Sequence, residues 1–157
     1  MKETRGIVLG LGNILNRDEG LGVYAQKMLK DRVGGRTGIE ILDGGVLGLD
    51  LLPLVATASH LLVLDAVDAG MEPGGLVELR GDEVPRFSKR KLSQHQLAFE
   101  EVLGLAAVRG GLPEHIRLCG LQPGDISPGL GLSREVESAM PLLVERAEAV
   151  LRSWRLL

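Results

Sequence analysis

The sequence has a single cysteine, no run of 18 uncharged apolar residues and no excess of positive charge. Because Cys119 is alone, it cannot form an internal disulfide, which fits a reducing cytoplasm. The lack of a long apolar run predicts that no helix spans a membrane. The first five residues lead directly into a strand pattern without the apolar segment of a secretory signal. We therefore expect a cytoplasmic protein without membrane insertion.

The charge balance gives no sign of a nucleic-acid partner. The formal net charge of the 157 residues is only −3, and the one basic run, Lys89-Arg90-Lys91, is short enough to be a solvated loop. There is no repeat, no low-complexity tract and no interdomain linker. The length suits one domain, residues 1–157, with its own core.

Apolar segments of two kinds alternate along the chain. Short buried runs predict strands, and apolar residues at helical spacing predict helices between them. The strands are predicted at 5–9, 39–42, 61–64, 76–79 and 116–120, and the helices at 20–33, 49–56, 97–108 and 133–154. This alternation predicts an α/β fold with a mostly parallel sheet covered on both faces. Because the fourth strand follows the third after only about ten residues, it has no room for a helical crossover and is expected to be an antiparallel edge strand.

The loop after the first strand has the glycines of a phosphate-binding loop but lacks its other residues. Its sequence is Gly10-Leu11-Gly12-Asn13-Ile14-Leu15. Leu15 stands where a dinucleotide site needs a small residue, and Asp43 falls later than the usual ribose-binding acid. Asp18 and Glu19 would repel a pyrophosphate. Since no Gly-Lys-Ser/Thr, no Gly-x-Ser-x-Gly and no Cys–His pair occurs, we expect neither a nucleotide cofactor nor a serine or cysteine nucleophile.

Polar residues instead gather where ligands of α/β sheets bind, at the carboxyl ends of the strands. Asp43 and Asp65 end two strands, and Glu19 begins the first helix beside them. Ser93 and Gln96 form a capping box that places His95 in the first turn of a helix. The positive end of the helix dipole disfavours imidazolium there, and a neutral imidazole is the form that binds metals.

Each of these residues also has a structural interpretation. Asp18 is interpretable as a helix N-cap, Glu19 as a first-turn acid and Asp43 as the start of an Asx-turn. Asp65 follows four apolar residues, where a carboxylate must be paired, hydrated or functional. Three other residues of chemical interest are expected to be structural: His60 at a strand start, His115 in a surface loop and Cys119 in the core.

Glu19, Asp65 and His95 together form a mixed set of oxygen and nitrogen donors. Such a set suits zinc, nickel, cobalt or iron better than calcium. Three protein ligands would leave positions open for water or substrate. The acids of the glycine loop are therefore predicted to serve a cation.

The sequence resembles the hydrogenase maturation proteases, which complete the maturation of the large subunit of nickel–iron hydrogenases. The resemblance covers nearly the whole chain and rests on four stretches at the expected spacing. They are Gly10 to Leu15 with Asp18-Glu19-Gly20-Leu21-Gly22, Ile41-Leu42-Asp43-Gly44-Gly45, Leu64-Asp65-Ala66-Val67, and Ser93-Gln94-His95-Gln96-Leu97.

The resemblance implies a single α/β domain, a three-layer sandwich around a twisted sheet of about five strands. It implies metal binding by Glu19, Asp65 and His95, with nickel delivered by the substrate. That substrate would be the precursor of the large subunit, from which a short C-terminal extension is removed. Asp43 is a candidate for an assisting carboxylate. A non-catalytic metal-sensing or chaperone-like module on the same fold is the alternative, and a nucleotide-binding oxidoreductase is a third hypothesis.

Overall fold

The computed structural model describes residues 3–36, 38–45, 48–81, 83 and 94–157, without the side chains at positions 49, 94–98 and 100. Five strands form one sheet: β1 Gly6–Leu11, β2 Ile39–Gly45, β3 His60–Ala66, β4 Leu76–Arg80 and β5 His115–Leu121. Four helices accompany them: α1 Leu21–Val33, α2 Leu52–Thr57, α3 Gln94–Val108 and α4 Arg134–Ser153. One-turn 3₁₀ helices, Arg17–Gly20 and Gly48–Leu51, precede α1 and α2.

The strand order in the sheet is β2-β1-β3-β5-β4. The first four of these are mutually parallel, and β4 pairs antiparallel with β5 at the edge. The predicted fold class and the antiparallel edge strand are thus confirmed. The short connection between β3 and β4 explains this geometry, because a parallel neighbour needs a long crossover.

Helices cover both faces of the sheet and bury two apolar clusters. On one face α1 and α4 pack against Val8, Leu62 and Leu64. On the other face α2 and α3 pack against alternate residues of the same strands, such as Leu9 and Val63. Each central strand is therefore buried on both sides, which is why β1 and β3 appear as continuous apolar runs rather than as alternating ones.

Element boundaries differ from the predicted ones in two places that concern the site. β2 continues to Gly45, three residues beyond the predicted end, with an irregularity opposite Gly10 and Leu11. α3 begins at Gln94, which is three residues before the start that apolar spacing predicts and agrees with the start that the capping pattern around His95 predicts. Pro141 lies inside α4, which continues on both sides of it. No helix in the described part of the chain is both long and apolar enough to cross a membrane.

Candidate active site

Glu19 and Asp65 lie at the edge of the sheet formed by the carboxyl ends of the parallel strands. Glu19 is in the 3₁₀ turn after β1 and is 6 % exposed, whereas Asp65, next to the end of β3, is fully buried. The 3₁₀ turn packs directly against β3. The structure therefore brings two buried carboxylates to the edge where ligands of open α/β sheets bind.

The glycines of the first loop let the protein's own backbone approach closely. Gly12 has a φ of +136°, which side chains rarely tolerate, and a Cβ there would overlap the carbonyl oxygen of Glu19. A Cβ at Gly10 would likewise meet the carbonyl oxygen of Gly22 at the start of α1. These glycines thus bring the segment that carries Glu19 down onto the end of β1.

Asp65 is part of strand β3, and its side chain points to the face of the sheet that α2 and α3 cover. Its Oδ1 accepts a hydrogen bond of 2.8 Å from the backbone N–H of Ala66. Val63, two residues earlier, belongs to the cluster under α3, and side chains two apart in a strand share a face. Opposite Asp65 on β5 is Gly120, where a Cβ would collide with the carbonyl oxygen of Asp65.

His95 is the second residue of α3, as the capping pattern predicted, and its side chain lies outside the described ones. Ser93, the predicted N-cap, also lies outside the described residues. The chain leaves α3 at Val108 and enters β5 at His115, so α3 runs opposite to the parallel strands. Its first turn therefore lies toward the strand ends that carry Asp65, over the face to which Asp65 points.

Asp43 lies at the same edge but in a different position. It is exposed near the end of β2, in register with Gly10 of β1, which in turn pairs with Leu64 of β3. Side chains at matched register positions point to the same face, so Asp43 shares the face of Leu64 and not that of Asp65. The structure brings Asp43 to the rim of the site without placing it beside Asp65.

Asp18 has a different role from the N-cap that the sequence suggested. Its carboxylate is fully buried and accepts hydrogen bonds from the distant residues Gly124, Asp125 and Ser133, rather than from its own helix. No local pattern indicates this contact, because the partners lie more than a hundred residues away. Asp18 is the residue near the site whose role sequence reasoning missed.

The other residues singled out in the sequence lie at the opposite edge, on the opposite face of the sheet from Asp65, or outside the described part of the chain. His60 begins β3 and stacks on His115, with ring centroids 4.5 Å apart. His115 is exposed as expected, but it begins β5 instead of lying in a loop. Cys119 is buried in β5, as predicted for a core residue. Lys89, Arg90 and Lys91 lie outside the described residues.

The donor chemistry at the edge fits a transition-metal ion. Glu19 and Asp65 supply carboxylate oxygens, and His95, whose side chain is an imidazole, lies in the first turn of α3 toward the same edge. No three His, Cys, Asp or Glu side chains among the described ones are grouped so that they could hold a metal, but the side chain of His95 is not among those. Glu19, Asp65 and His95 thus remain the predicted ligand set.

Comparison with known proteins links this arrangement to one family. Residues 23–150 match a family model described as hydrogenase maturation protease. The chain is 43 % identical over 152 residues to the hydrogenase expression/formation protein HupD of Rhizobium leguminosarum bv. viciae, covering 96 % of this chain and 75 % of that protein.

Solved structures agree with this result. The hydrogenase maturating endopeptidase HybD from Escherichia coli superposes with a TM-score of 0.91 at 37 % identity, covering 95 % of this chain and 93 % of that one. The [NiFe] hydrogenase maturation protease HybD from Thermococcus kodakarensis superposes with a TM-score of 0.76 at 26 % identity, covering 93 % and 98 % of the two chains.

Proposed function

The chain belongs to the hydrogenase maturation protease family and is a peptidase, and from that premise we propose that it removes a C-terminal extension from the large-subunit precursor of a nickel–iron hydrogenase. The observation that supports this most directly is the pair of buried carboxylates, Glu19 and Asp65, at the ligand-binding edge of the sheet. The loop that carries Glu19 also suits a protein substrate. Leu15 on this loop and Leu130 on the neighbouring one are 62 % and 67 % exposed, and we propose that these apolar side chains contact the precursor.

We further propose that the enzyme recognises nickel already present in the precursor. Glu19, Asp65 and His95 would then complete a coordination shell that the substrate begins, so the enzyme needs only a few contacts of its own. Carboxylate and imidazole donors with open positions suit such a shared ion. Selectivity follows from this arrangement, because an unloaded precursor lacks the group that these three side chains bind. The resting enzyme is expected to bind nickel weakly.

The reaction adds water across a peptide bond, releasing a new carboxylate on the precursor and the amine of the removed peptide. A bound metal ion supplies Lewis acidity toward a carbonyl or a water molecule. Glu19 and Asp65, which are both buried at this edge of the sheet, would hold such an ion from the protein side. Asp43, which is exposed at the rim, is proposed as the general base that takes the proton of the attacking water.

Cytoplasmic processing is part of this proposal, since Cys119 is a free buried thiol, which fits a reducing compartment. The hypothesis of a non-catalytic binding module is not favoured, because the structural relatives are described as a maturating endopeptidase and a maturation protease.

The deciding experiment incubates the purified protein with a large-subunit precursor, with and without nickel, and measures intact masses. We expect a C-terminal peptide to be lost only from the nickel-loaded precursor. Cleavage without nickel would refute recognition through the metal while retaining the peptidase. A loaded precursor that stays intact would refute the proposed function.

Two variants connect the result to the site. Asp65→Ala is expected to abolish processing while the protein still shows a cooperative unfolding transition. Asp31→Ala, at an exposed position on α1, serves as the control and is expected to process normally. Full processing by Asp65→Ala would refute the assignment of Asp65 to the site.

A further inference from the structure

Asp18 is a buried charge that the proposed reaction does not use. Its Oδ2 accepts hydrogen bonds of 2.8 Å from the backbone N–H groups of Gly124 and Asp125, and one of 2.7 Å from the hydroxyl of Ser133. Its Oδ1 accepts a fourth bond, 2.7 Å long, from the backbone N–H of Ser133. A carboxylate that is fully buried and bonded in this way has no access to substrate. Its role is therefore to join the segments that carry Asp18 and its three partners.

These bonds belong to a larger contact between two loops. We call it the interloop clamp: the hydrogen bonds that join residues 15–18, after β1, to residues 124–133, between β5 and α4. The backbone contributes bonds from Asp18 N to Asp125 O at 2.9 Å, from Arg17 N to Gly129 O at 3.1 Å and from Gly129 N to Leu15 O at 2.8 Å. Arg17 has a φ of +48°, a left-handed conformation that is uncommon for a residue with a side chain. The clamp therefore holds the chain in a conformation that the local sequence alone does not favour.

The clamp acts on the residue next to Asp18, which is Glu19. The backbone N–H of Glu19 bonds to Asn16 O at 3.1 Å, and its carbonyl group lies against Gly12. Glu19 is thus held on one side by Gly12, directly after β1, and on the other, through the peptide link to Asp18, by the loop before α4. A shift of the clamp would move the Glu19 carboxylate relative to Asp65, which is fixed separately in β3.

We propose that Asp18 is a positioning residue for Glu19: its carboxylate ties the loop of the candidate active site to the start of α4. The proposal rests on the proposed function insofar as it concerns cleavage, but the geometry of the clamp does not depend on it. A carboxylate suits this position because both of its oxygens accept hydrogen bonds. An asparagine accepts through only one oxygen, so its NH₂ group would face backbone N–H donors whichever way the amide is turned.

The test compares two buried carboxylates, each replaced by its amide. Asp18→Asn breaks the clamp. Glu148→Gln is the matched control: Glu148 is 8 % exposed and pairs with Arg32 of α1 and Arg152 of α4, at the opposite end of these helices. Both variants are expected to lower the unfolding temperature. Only Asp18→Asn is expected to lower kcat for precursor cleavage, by about ten- to a hundredfold, because small misplacements of a reacting group are costly. KM is expected to change little in either variant.

Two measurements do not depend on cleavage. Nickel binding to the free protein, measured by calorimetry, should weaken in Asp18→Asn and not in Glu148→Gln. Amide hydrogen exchange of residues 12–20 should accelerate in Asp18→Asn alone. An Asp18→Asn protein with the kcat and nickel affinity of the wild type would overturn the proposal, and so would a Glu148→Gln protein that loses them equally. If the wild type itself cleaves no precursor, the proposed function fails, and the nickel and exchange measurements still decide the role of Asp18.

Ser133→Ala covers the case in which Asp18→Asn does not fold. The hydroxyl of Ser133 bonds to Asp18 and makes no side-chain cap for α4, so this substitution removes one bond of the clamp and leaves the helix start in place. We expect a smaller loss of kcat and of nickel affinity than for Asp18→Asn. Wild-type values in Ser133→Ala would count against the proposal.

Discussion

Gly22 lies so close to Leu64 that the two backbones leave no room for a side chain between them. A Cβ at Gly22 would overlap the carbonyl oxygens of Leu64 and of Leu11. This contact joins the start of α1 to the ends of β1 and β3. Gly22 follows Glu19 by three residues, and Leu64 directly precedes Asp65. The distance between these two carboxylates is therefore set in part by a glycine that has no chemistry of its own.

Gly22→Ala is expected to push α1 away from the sheet and to separate Glu19 from Asp65. Overpacking of this kind costs about 1–3 kcal/mol of stability, and a displacement near 1 Å lowers activity about a hundredfold. Thermal unfolding and precursor cleavage measure the two effects. Gly35→Ala is the control, because a Cβ at Gly35 meets nothing within 4 Å. Equal behaviour of the two variants would contradict the role of the contact.

Much of the architecture could be predicted from short-range patterns. The run before Asp65 is apolar because β3 is buried on both faces, and the short link after it requires an antiparallel neighbour. The topological rule for α/β sheets then brings Glu19 and Asp65 to one edge without any knowledge of their contacts.

Other features depend on contacts between distant segments, and no local pattern reports them. An acid before a helix is usually an N-cap, and the local sequence gives Asp18 that interpretation, yet its hydroxyl partner, Ser133, lies 115 residues away. The sequence predicts His115 in a loop because it follows Pro113. It joins a strand because pairing with β3 extends β5 to that residue. The side-chain position of His95 lies outside the described side chains and stays a prediction.

Cys119 is expected to be inert toward thiol reagents in the native protein. Burial, followed by the nearby Glu78 carboxylate, raises the pKa of its thiol to about 12. Since the thiolate is the reactive form, labelling with iodoacetamide should be slow in the folded chain and fast after unfolding in guanidinium. Rapid labelling of the folded protein at neutral pH would contradict the buried position of Cys119.

His60 is expected to make the protein less stable in mild acid. Burial and the stacked His115 lower the pKa of His60 below its ordinary value of 6.5, while Glu114 opposes this shift. Ser59 and Trp154 are its other close partners. Because the unfolded chain takes up the proton more readily, the contribution of neutral His60 is complete above pH 6.5 and is lost as the pH falls from there toward the lower native pKa.

His60→Gln should therefore unfold with a weaker dependence on pH than the wild type. Thermal unfolding followed between about pH 5 and pH 8, where only His among unperturbed side chains titrates, measures the difference. Carboxylates that titrate near the lower end are common to both proteins and cancel in the comparison. An identical pH dependence in the two proteins would show that His60 carries no such effect.

Asp43→Asn separates binding of the metal from the chemistry of cleavage. Asp43 is exposed and shares the face of Leu64, opposite to that of Asp65, so the variant is expected to keep the nickel affinity of the wild type. As the proposed general base, Asp43 must be ionised to accept a proton. Its replacement should lower kcat by about a hundredfold or more. Asp31→Asn, at an exposed position on α1, should change neither quantity. An Asp43→Asn enzyme with an unchanged kcat would exclude Asp43 from the reaction and leave Glu19, Asp65 and the metal to activate the water.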